Sequence, residues 1–371
     1  MTTIGGLPDL IAELPSEARK RAEALFEVTV AKGRADLPAE LAPWLERQFG
    51  SVDAVRKQRI VRVSQRWTNE GTLFAPLRAK RPTGAVSLGA FGREIESTLG
   101  DDFCHPETGT PADVWGRVRG RHAITAANAA MYEGRHGVVI FDRHDPLAFD
   151  HDSITDLLEV GRAWAERGRA EDGDASRYLL IWNCGPRAGG SIAHGHAQVL
   201  LGRAPHYAGV ERLRAAAVAY LAATGGSMLS DIASVHQELG LVVSSADGVT
   251  VLASLTPIKE REVWIVGQVG MDEREPAFAD AVAHTVIAYR DNVGVRAFNL
   301  VLQRPPLDPD RAARDGWELL PPLVRMVDRG DPDSRSSDIG AMELYAASVV
   351  GSDPFALAQE MRAAWSPGAI G

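Results

Sequence analysis

Two apolar runs, Tyr178–Trp182 and Val199–Leu201, flank the stretch Asn183-Cys184-Gly185-Pro186-Arg187-Ala188-Gly189-Gly190-Ser191-Ile192-Ala193-His194-Gly195-His196-Ala197-Gln198. The pattern demands a strand, a glycine-rich loop and a second strand. In the second strand His194, His196 and Gln198 recur at period two, so they share one face of an extended segment. Three imidazole and amide groups on one strand face are costly to bury without partners. They read as a site, and the neighbouring apolar runs as the walls that hold it.

The rest of the chain supplies the body for such a site. Its 371 residues are 45% hydrophobic, enough for a large core in one or two domains. The net charge of -9, with no long Lys/Arg run, argues against general nucleic-acid binding. Two cysteines, Cys104 and Cys184, make no disulfide framework and fit a reduced, cytoplasmic setting. The first residues lack the charged and apolar regions of a signal peptide, and no apolar run approaches the ~20 residues of a membrane span.

Residues 1 to about 70 read mainly as helices, with amphipathic segments from Pro15 to about Lys32 and from Pro38 to Phe49. Gly137–Phe141 reads as a buried strand, and Ile154–Arg169 as an amphipathic helix capped by Asp152-Ser153. Helices over Val210–Ala223 and Leu229–Leu239 precede a hairpin around Ala246-Asp247-Gly248. A strand at Glu262–Val266, a helix at Pro276–Arg290, an extended Ala297–Gln303 and a helix at Pro354–Trp365 follow. Asp308–Asp338 reads as a long irregular connection. Strand pairs followed by helices recur in both halves, which points to α+β rather than regular βαβ winding.

Two further clusters carry charge or ligands. Arg78-Ala79-Lys80-Arg81-Pro82 places three cations in four residues on an extended segment, suited to a phosphate or to a solvated loop. Asp101-Asp102-Phe103-Cys104-His105 gathers metal-ligand types, as surface turns also do.

The segment Asn183-x-Gly185-x(5)-Ser191-x-x-His194-x-His196-x-Gln198 resembles the active-site signature of galactose-1-phosphate uridylyltransferases. These belong to the histidine-triad superfamily, with ADP-glucose phosphorylase-like enzymes and diadenosine tetraphosphate phosphorylases as relatives. The Arg78–Pro82 cluster, His144, Thr256–Val266 and Gly340–Leu344 resemble other family segments in the same order. The resemblance spans about residues 74 to 365. It implies an α+β, histidine-triad-like fold of two similar halves, each an antiparallel sheet flanked by helices. The expected division is a helical N-terminal extension over 1–73, a first half with the nucleophile over 74–208, and a second half over 209–371.

It also implies a two-step nucleotidyl transfer. His196 attacks the α-phosphorus of a nucleotide sugar or nucleoside polyphosphate, and a phosphate or sugar-phosphate acceptor releases the nucleotide. A neutral imidazole needs no deprotonation to attack, provided a carbonyl fixes its other nitrogen as a donor. Gln198 can hydrogen-bond a phosphoryl oxygen but cannot deliver a proton, which favours transfer over hydrolysis. Gly189, Gly190 and Ser191 read as a phosphate cradle. Asn183, Arg78, Arg81, Asn128 and Glu343 read as substrate contacts. The family's structural zinc site implies Asp101, Cys104, His144 and His194 as ligands, with a carboxylate where a thiolate is usual. The alternative is a metal-free site in which His194 only positions the loop. No organic cofactor is implied, and neither nucleic acid nor membrane as partner. Family members are commonly dimers. A hydrolase of a nucleotide conjugate and a non-catalytic nucleotide-binding homologue stand as alternatives. The acceptor is left open, because Tyr345–Val350 lacks the polar residue that contacts the hexose in galactose enzymes. His105, His122, His136, His151, His206, His236 and His284 read as structural or surface residues.

Overall fold

A computed structural model of the protein describes residues 2–80, 89–334 and 336–365. Arg81 lies outside the described residues. Among the described residues the alternating and apolar runs become thirteen strands: β1 Phe26–Arg34, β2 Lys57–Gln65, β3 Gly71–Phe74, β4 Ala123–Ala127, β5 His136–Phe141, β6 Arg177–Cys184, β7 His196–Gly202, β8 Val242–Ala246, β9 Val249–Ala253, β10 Glu260–Val266, β11 Phe298–Gln303, β12 Leu323–Asp328 and β13 Ser348–Val350.

Nine of them form one sheet in the order β4-β5-β7-β6-β11-β12-β10-β9-β8, and every neighbouring pair is antiparallel. The order is a duplication. The run β4, β5, helix His151–Glu171, β6, β7 is repeated as β9, β10, helix Pro276–Asp291, β11, β12. The two sets sit in mirrored order about a seam where β6 pairs with β11, from Phe298↔Cys184 to Leu302↔Leu180. No close sequence repeat announces this; the repeat is one of hydrophobic pattern.

The helices supply one layer and the sheet the other. On β6, Tyr178, Leu180, Trp182 and Cys184 are buried, with Ala197, Val199 and Leu201 of β7 beside them. Ile154, Leu157, Leu158 and Trp164 of helix His151–Glu171 belong to the same core. Each such side chain contributes about 1.5–3 kcal/mol by leaving water. Period two sends the alternate residues, Ile181, Asn183, His196 and Gln198, to the opposite face. The helix starts at Asp150, not at Asp152-Ser153. The Ser153 N–H donates to the Asp150 carboxylate at 2.9 Å, and the Asp150 N–H donates to Ser153 Oγ at 2.8 Å.

The N-terminal segment departs from the helical expectation. Helices Leu7–Glu13, Ser16–Leu25 and Ala42–Phe49 form, but β1 and β2 pair over nine residues each, from Phe26↔Gln65 to Arg34↔Lys57. The helix from Ser16 stops at Leu25 because Val28, Thr29 and Val30 are β-branched and alternate with polar neighbours. The expected boundary at residue 73 falls inside β3. The four-stranded sheet runs β1-β2-β3-β13, with β13 parallel to β3, so the C-terminal segment returns to the N-terminal strands. Asp308–Asp338 is also more regular than expected, since it contains β12. Val324 and Met326 are buried there, and the strand is central to the sheet. No helix of the described residues is long and apolar enough to cross a membrane.

Candidate active site

His196 opens β7, opposite Ile140 of β5. Its Nδ1 lies 2.7 Å from the carbonyl oxygen of His194, which can only accept, so Nδ1 carries the proton. The Nε2 lone pair is left without a protein partner among the described residues. Burial pushes the ring's pKa below the usual histidine value and keeps it neutral. Phe103 packs edge-on against the imidazole at 5.2 Å. Gly195 fits here because a Cβ would lie 3.1 Å from the Phe141 ring and 3.3 Å from the Arg143 carbonyl oxygen. Its φ is not positive, so close approach, not a left-handed backbone, selects glycine.

Gln198 follows on the same face. Its Oε1 is 2.9 Å from His136 Nε2 and accepts from the Tyr132 hydroxyl at 3.1 Å. Asn128 reaches the same corner. Its Oδ1 accepts the Ala130 N–H at 2.9 Å, and its Nδ2 is 3.0 Å from His136 Nε2. The pairing of β6 with β7 ends at Ile181↔Gln198, and Asn183 lies two residues beyond it on the same face of β6 as Ile181. Asn299 Nδ2 donates to Asn183 Oδ1 at 2.7 Å and to the Ala188 carbonyl at 2.8 Å. Asn299 thereby ties the seam to the loop.

The loop between β6 and β7 is tightly folded. Gly189 has φ +89°, which glycine adopts without strain, and a Cβ on Gly190 would lie 2.8 Å from the Asn183 carbonyl oxygen. The N–H groups of Ala188 and Gly190 both donate to Gly185 O, and that of Gly189 to Pro186 O, at 3.1 Å each. These amides are spent inside the loop. The donors left for a ligand are the exposed Ser191 hydroxyl and the amides that follow it. Arg187 clamps the loop, donating to the carbonyls of Arg329, Ser334 and Ser336.

Asp101, Cys104, His144 and His194 converge, with one ligand atom from each within 4.8 Å of the others. His144 Nε2 is 2.8 Å from Ile95 O, and His194 Nε2 is 2.8 Å from Phe141 O. Both rings therefore carry their protons on Nε2. Their bare Nδ1 atoms then face each other at 3.2 Å, with Cys104 Sγ at 3.3 and 3.5 Å. Two lone pairs at that distance repel unless positive charge lies between them. Asp101 Oδ2 is buried without a partner. Zinc bonds of about 2.0–2.3 Å set tetrahedral ligand atoms roughly 3.3–3.7 Å apart, close to these spacings. The group could hold a metal ion.

Arg78 and Glu343 lie apart from the histidines. They line a second cavity, of about 280 Å³, with Arg187, Lys259 and Arg329, and neither His196 nor Gln198 contributes to its wall. Burial opposes the charge on Glu343. The backbone N–H groups of Gly340 and Glu343 and the cations Lys259 and Arg78 nevertheless hold its carboxyl below the usual range. Arg329 donates to Asn299 Oδ1, so the chain Asn183–Asn299–Arg329 links this cavity to the His196 corner. Reading the sequence missed Asn299, Arg187, Tyr132 and His136. Asn299-x-Val301-x-Gln303 and His136-x-Val138-x-Ile140 carry the same period-two signal as the histidine stretch. The ends of Arg187 and Tyr132 left no local mark.

No family model and no curated protein sequence matches the chain. Solved structures do. An ADP-glucose phosphorylase from Arabidopsis thaliana, with bound ADP-glucose, superposes with a TM-score of 0.62 at 17% identity, covering 81% of this chain and 97% of that one. A uridylyltransferase matches with a TM-score of 0.54 at 19% identity, over 82% and 98%. The fold is the one the sequence resemblance implied. A galactose-1-phosphate uridylyltransferase-like protein, also from Arabidopsis thaliana, shares it with a TM-score of 0.57 at 16% identity, over 71% and 92%. In this uridylyltransferase-like fold the histidine stretch occupies the central strand β7 and the loop before it.

Proposed function

We propose that the protein is a nucleotidyltransferase that works through a covalent nucleotidyl-His196 intermediate. The observation that carries the reading is the state of His196: neutral, with Nδ1 held by the His194 carbonyl and Nε2 unengaged on the strand face that also carries Gln198. The Nε2 lone pair forms a bond to the α-phosphorus of a nucleotide sugar or nucleoside polyphosphate. The bond from that phosphorus to the bridging oxygen breaks, and the leaving group departs as a phosphate ester. In the second step an oxygen of inorganic phosphate or a sugar phosphate forms the new phosphorus–oxygen bond, and the nitrogen–phosphorus bond breaks.

The protein's part is positioning and charge. The Gln198 amide and the Ser191 hydroxyl donate to phosphoryl oxygens, and Asn183 orients the nucleotide. In the second cavity Arg187, Lys259 and Arg329 pair with Asp338, which leaves Arg78 as the cation for the second phosphate-bearing reactant. Gln198 has no proton to deliver to a leaving group or take from water, which favours transfer. Asp101, Cys104, His144 and His194 would hold a zinc ion, whose chemistry is structural: it fixes His194, and through its carbonyl the tautomer of His196. ADP-glucose, bound by the phosphorylase of the same fold, is the first donor to try.

Incubation with ADP-glucose, UDP-glucose and diadenosine tetraphosphate, followed by intact-mass measurement, is expected to show a nucleotidyl adduct with at least one donor and none in His196→Ala. No adduct with any of the three, or an adduct that persists in His196→Ala, would falsify the mechanism.

A further inference from the structure

His136 is fully buried on β5, two residues before the Val138 that faces Gln198 across the ladder. A residue diagonal to its cross-strand neighbour is within reach of a long side chain. Its Nε2 is 2.9 Å from Gln198 Oε1, and the ring packs tilted against Tyr132 with centroids 4.2 Å apart; the Tyr132 hydroxyl meets the same oxygen at 3.1 Å. We infer that His136 and Tyr132 are positioning residues that lock the Gln198 amide with its NH2 toward the substrate; this rests on the nucleotidyl-transfer reading of the site.

The orientation of the amide depends on where the His136 proton sits. Nε2 also lies 3.0 Å from Asn128 Nδ2, and one nitrogen cannot donate to Gln198 and accept from Asn128 at once. Nδ1 decides between them. It is buried with no partner. A proton there would be an orphaned donor, whereas an unpartnered acceptor costs less. The proton therefore belongs on Nε2 and points at Gln198 Oε1. The Tyr132 hydroxyl gives that oxygen its second donor. With both lone pairs of Oε1 occupied, the amide cannot flip, and its two N–H donors face away from β5. Asn128 then has no acceptor at His136, and its NH2 is free for the nucleotide. A histidine in this place acts on a glutamine, not on phosphorus, and so differs in role from His196.

Burial lowers the His136 pKa and so favours the neutral ring. Tyr132 is largely exposed, and removing its hydroxyl leaves the core intact. The test is a double-mutant cycle on single-turnover adduct formation. Tyr132→Phe and His136→Leu are each expected to slow the step about 3- to 10-fold with Gln198 present, and less than about 2-fold in a Gln198→Ala background. His136→Gln, whose amide nitrogen reaches the place of Nε2, should recover most of the rate. Equal losses in the two backgrounds would overturn the inference, because a merely structural role does not depend on Gln198. A second arm needs no turnover. In 15N-histidine-labelled full-length protein, the His136 resonance, assigned by its loss in His136→Gln, should report an Nε2-protonated neutral ring at pH 7. An Nδ1-protonated ring sinks the inference whether or not adduct forms. Absence of adduct in the unmodified protein, with the expected tautomer present, defeats the nucleotidyl-transfer reading while leaving the locked amide standing.

Discussion

At the scale of the residue, the histidines divide by what their two nitrogens touch. His196 and His194 each have one nitrogen on a carbonyl; the other is unpartnered in His196 and faces Cys104 and His144 in His194. His236 has both engaged: Nδ1 is 2.8 Å from Ile232 O, and Nε2 accepts the Leu255 N–H at 3.2 Å. Burial drives its pKa down to about 4, and that of buried His206 likewise to about 4. Both values are depressed below the unfolded value near 6.5. The stability they contribute is therefore fully present above about pH 6.5 and is lost as pH falls from there toward 4, where the unfolded chain binds protons the folded one refuses. Each group steepens the fall by up to roughly 1.4 kcal/mol per pH unit inside that window. Urea unfolding at pH 7.5, 6.0 and 5.0 is expected to show the decline, and His236→Gln, less stable at pH 7.5, should decline less steeply. A midpoint independent of pH down to 5 would contradict the assignment of neutral buried rings.

At the scale of the element, the site depends on a helix it never touches. Helix His151–Glu171 packs on the buried face of β5, β6 and β7, the side opposite the one that carries His196 and Gln198. Its start is held by the reciprocal Asp150–Ser153 pair, and Arg143 pairs with Asp150 at 2.6 Å. Asp150→Ala should cost about 1 kcal/mol of stability, within the 0.5–2 range for lost N-caps. A urea midpoint unchanged by Asp150→Ala would show the cap to be dispensable. The amphipathic period of this helix was legible from sequence, but its cap was displaced by two residues. Asp150 and Asp152 are equally good capping types, and the choice falls to whichever can exchange hydrogen bonds with Ser153.

At the scale of the molecule, remote segments meet at the site. The ligand group takes Asp101 and Cys104 from before β4, His144 from after β5 and His194 from before β7. An ion there would staple three loops. Zinc added to chelator-treated protein is therefore expected to raise the thermal midpoint, by the equivalent of about 2.7 kcal/mol at a hundredfold excess over Kd. The rise should vanish in Cys104→Ala. A midpoint that does not move with zinc, cobalt or chelator counts against a metal at this group. The buried Arg325 performs a comparable junction without an ion: it pairs with Glu262 at 2.6 Å and with Glu70 at 2.8 Å, joining the N-terminal sheet to the face of the nine-stranded one. Glu70 lies in the segment expected to be a separate extension. Its pairing, with the return of β13 to β3, makes contacts across the boundary that the resemblance implied at residue 73.

What the sequence by itself determined was local and periodic. Alternation put His196 and Gln198 on one face of β7, glycines and Ser191 in one loop, and a helix over the strands, because these follow from backbone geometry within a few residues; His194, expected on the same face, lies instead in the bend before the strand. The strands β1 and β2 escaped because their alternation is carried by Val, Thr, Lys and Arg, a pattern a surface helix can also show. Tertiary structure alone decided the rest. It joined two halves at the β6–β11 seam, set Asn299 against Asn183, and turned two histidine lone pairs toward each other across 3.2 Å. It also brought His136 to the amide of Gln198. These contacts lie between 50 and 122 positions apart in the chain, where no period reaches. Only the packing of one strand against another, set by what each buries, could bring them together.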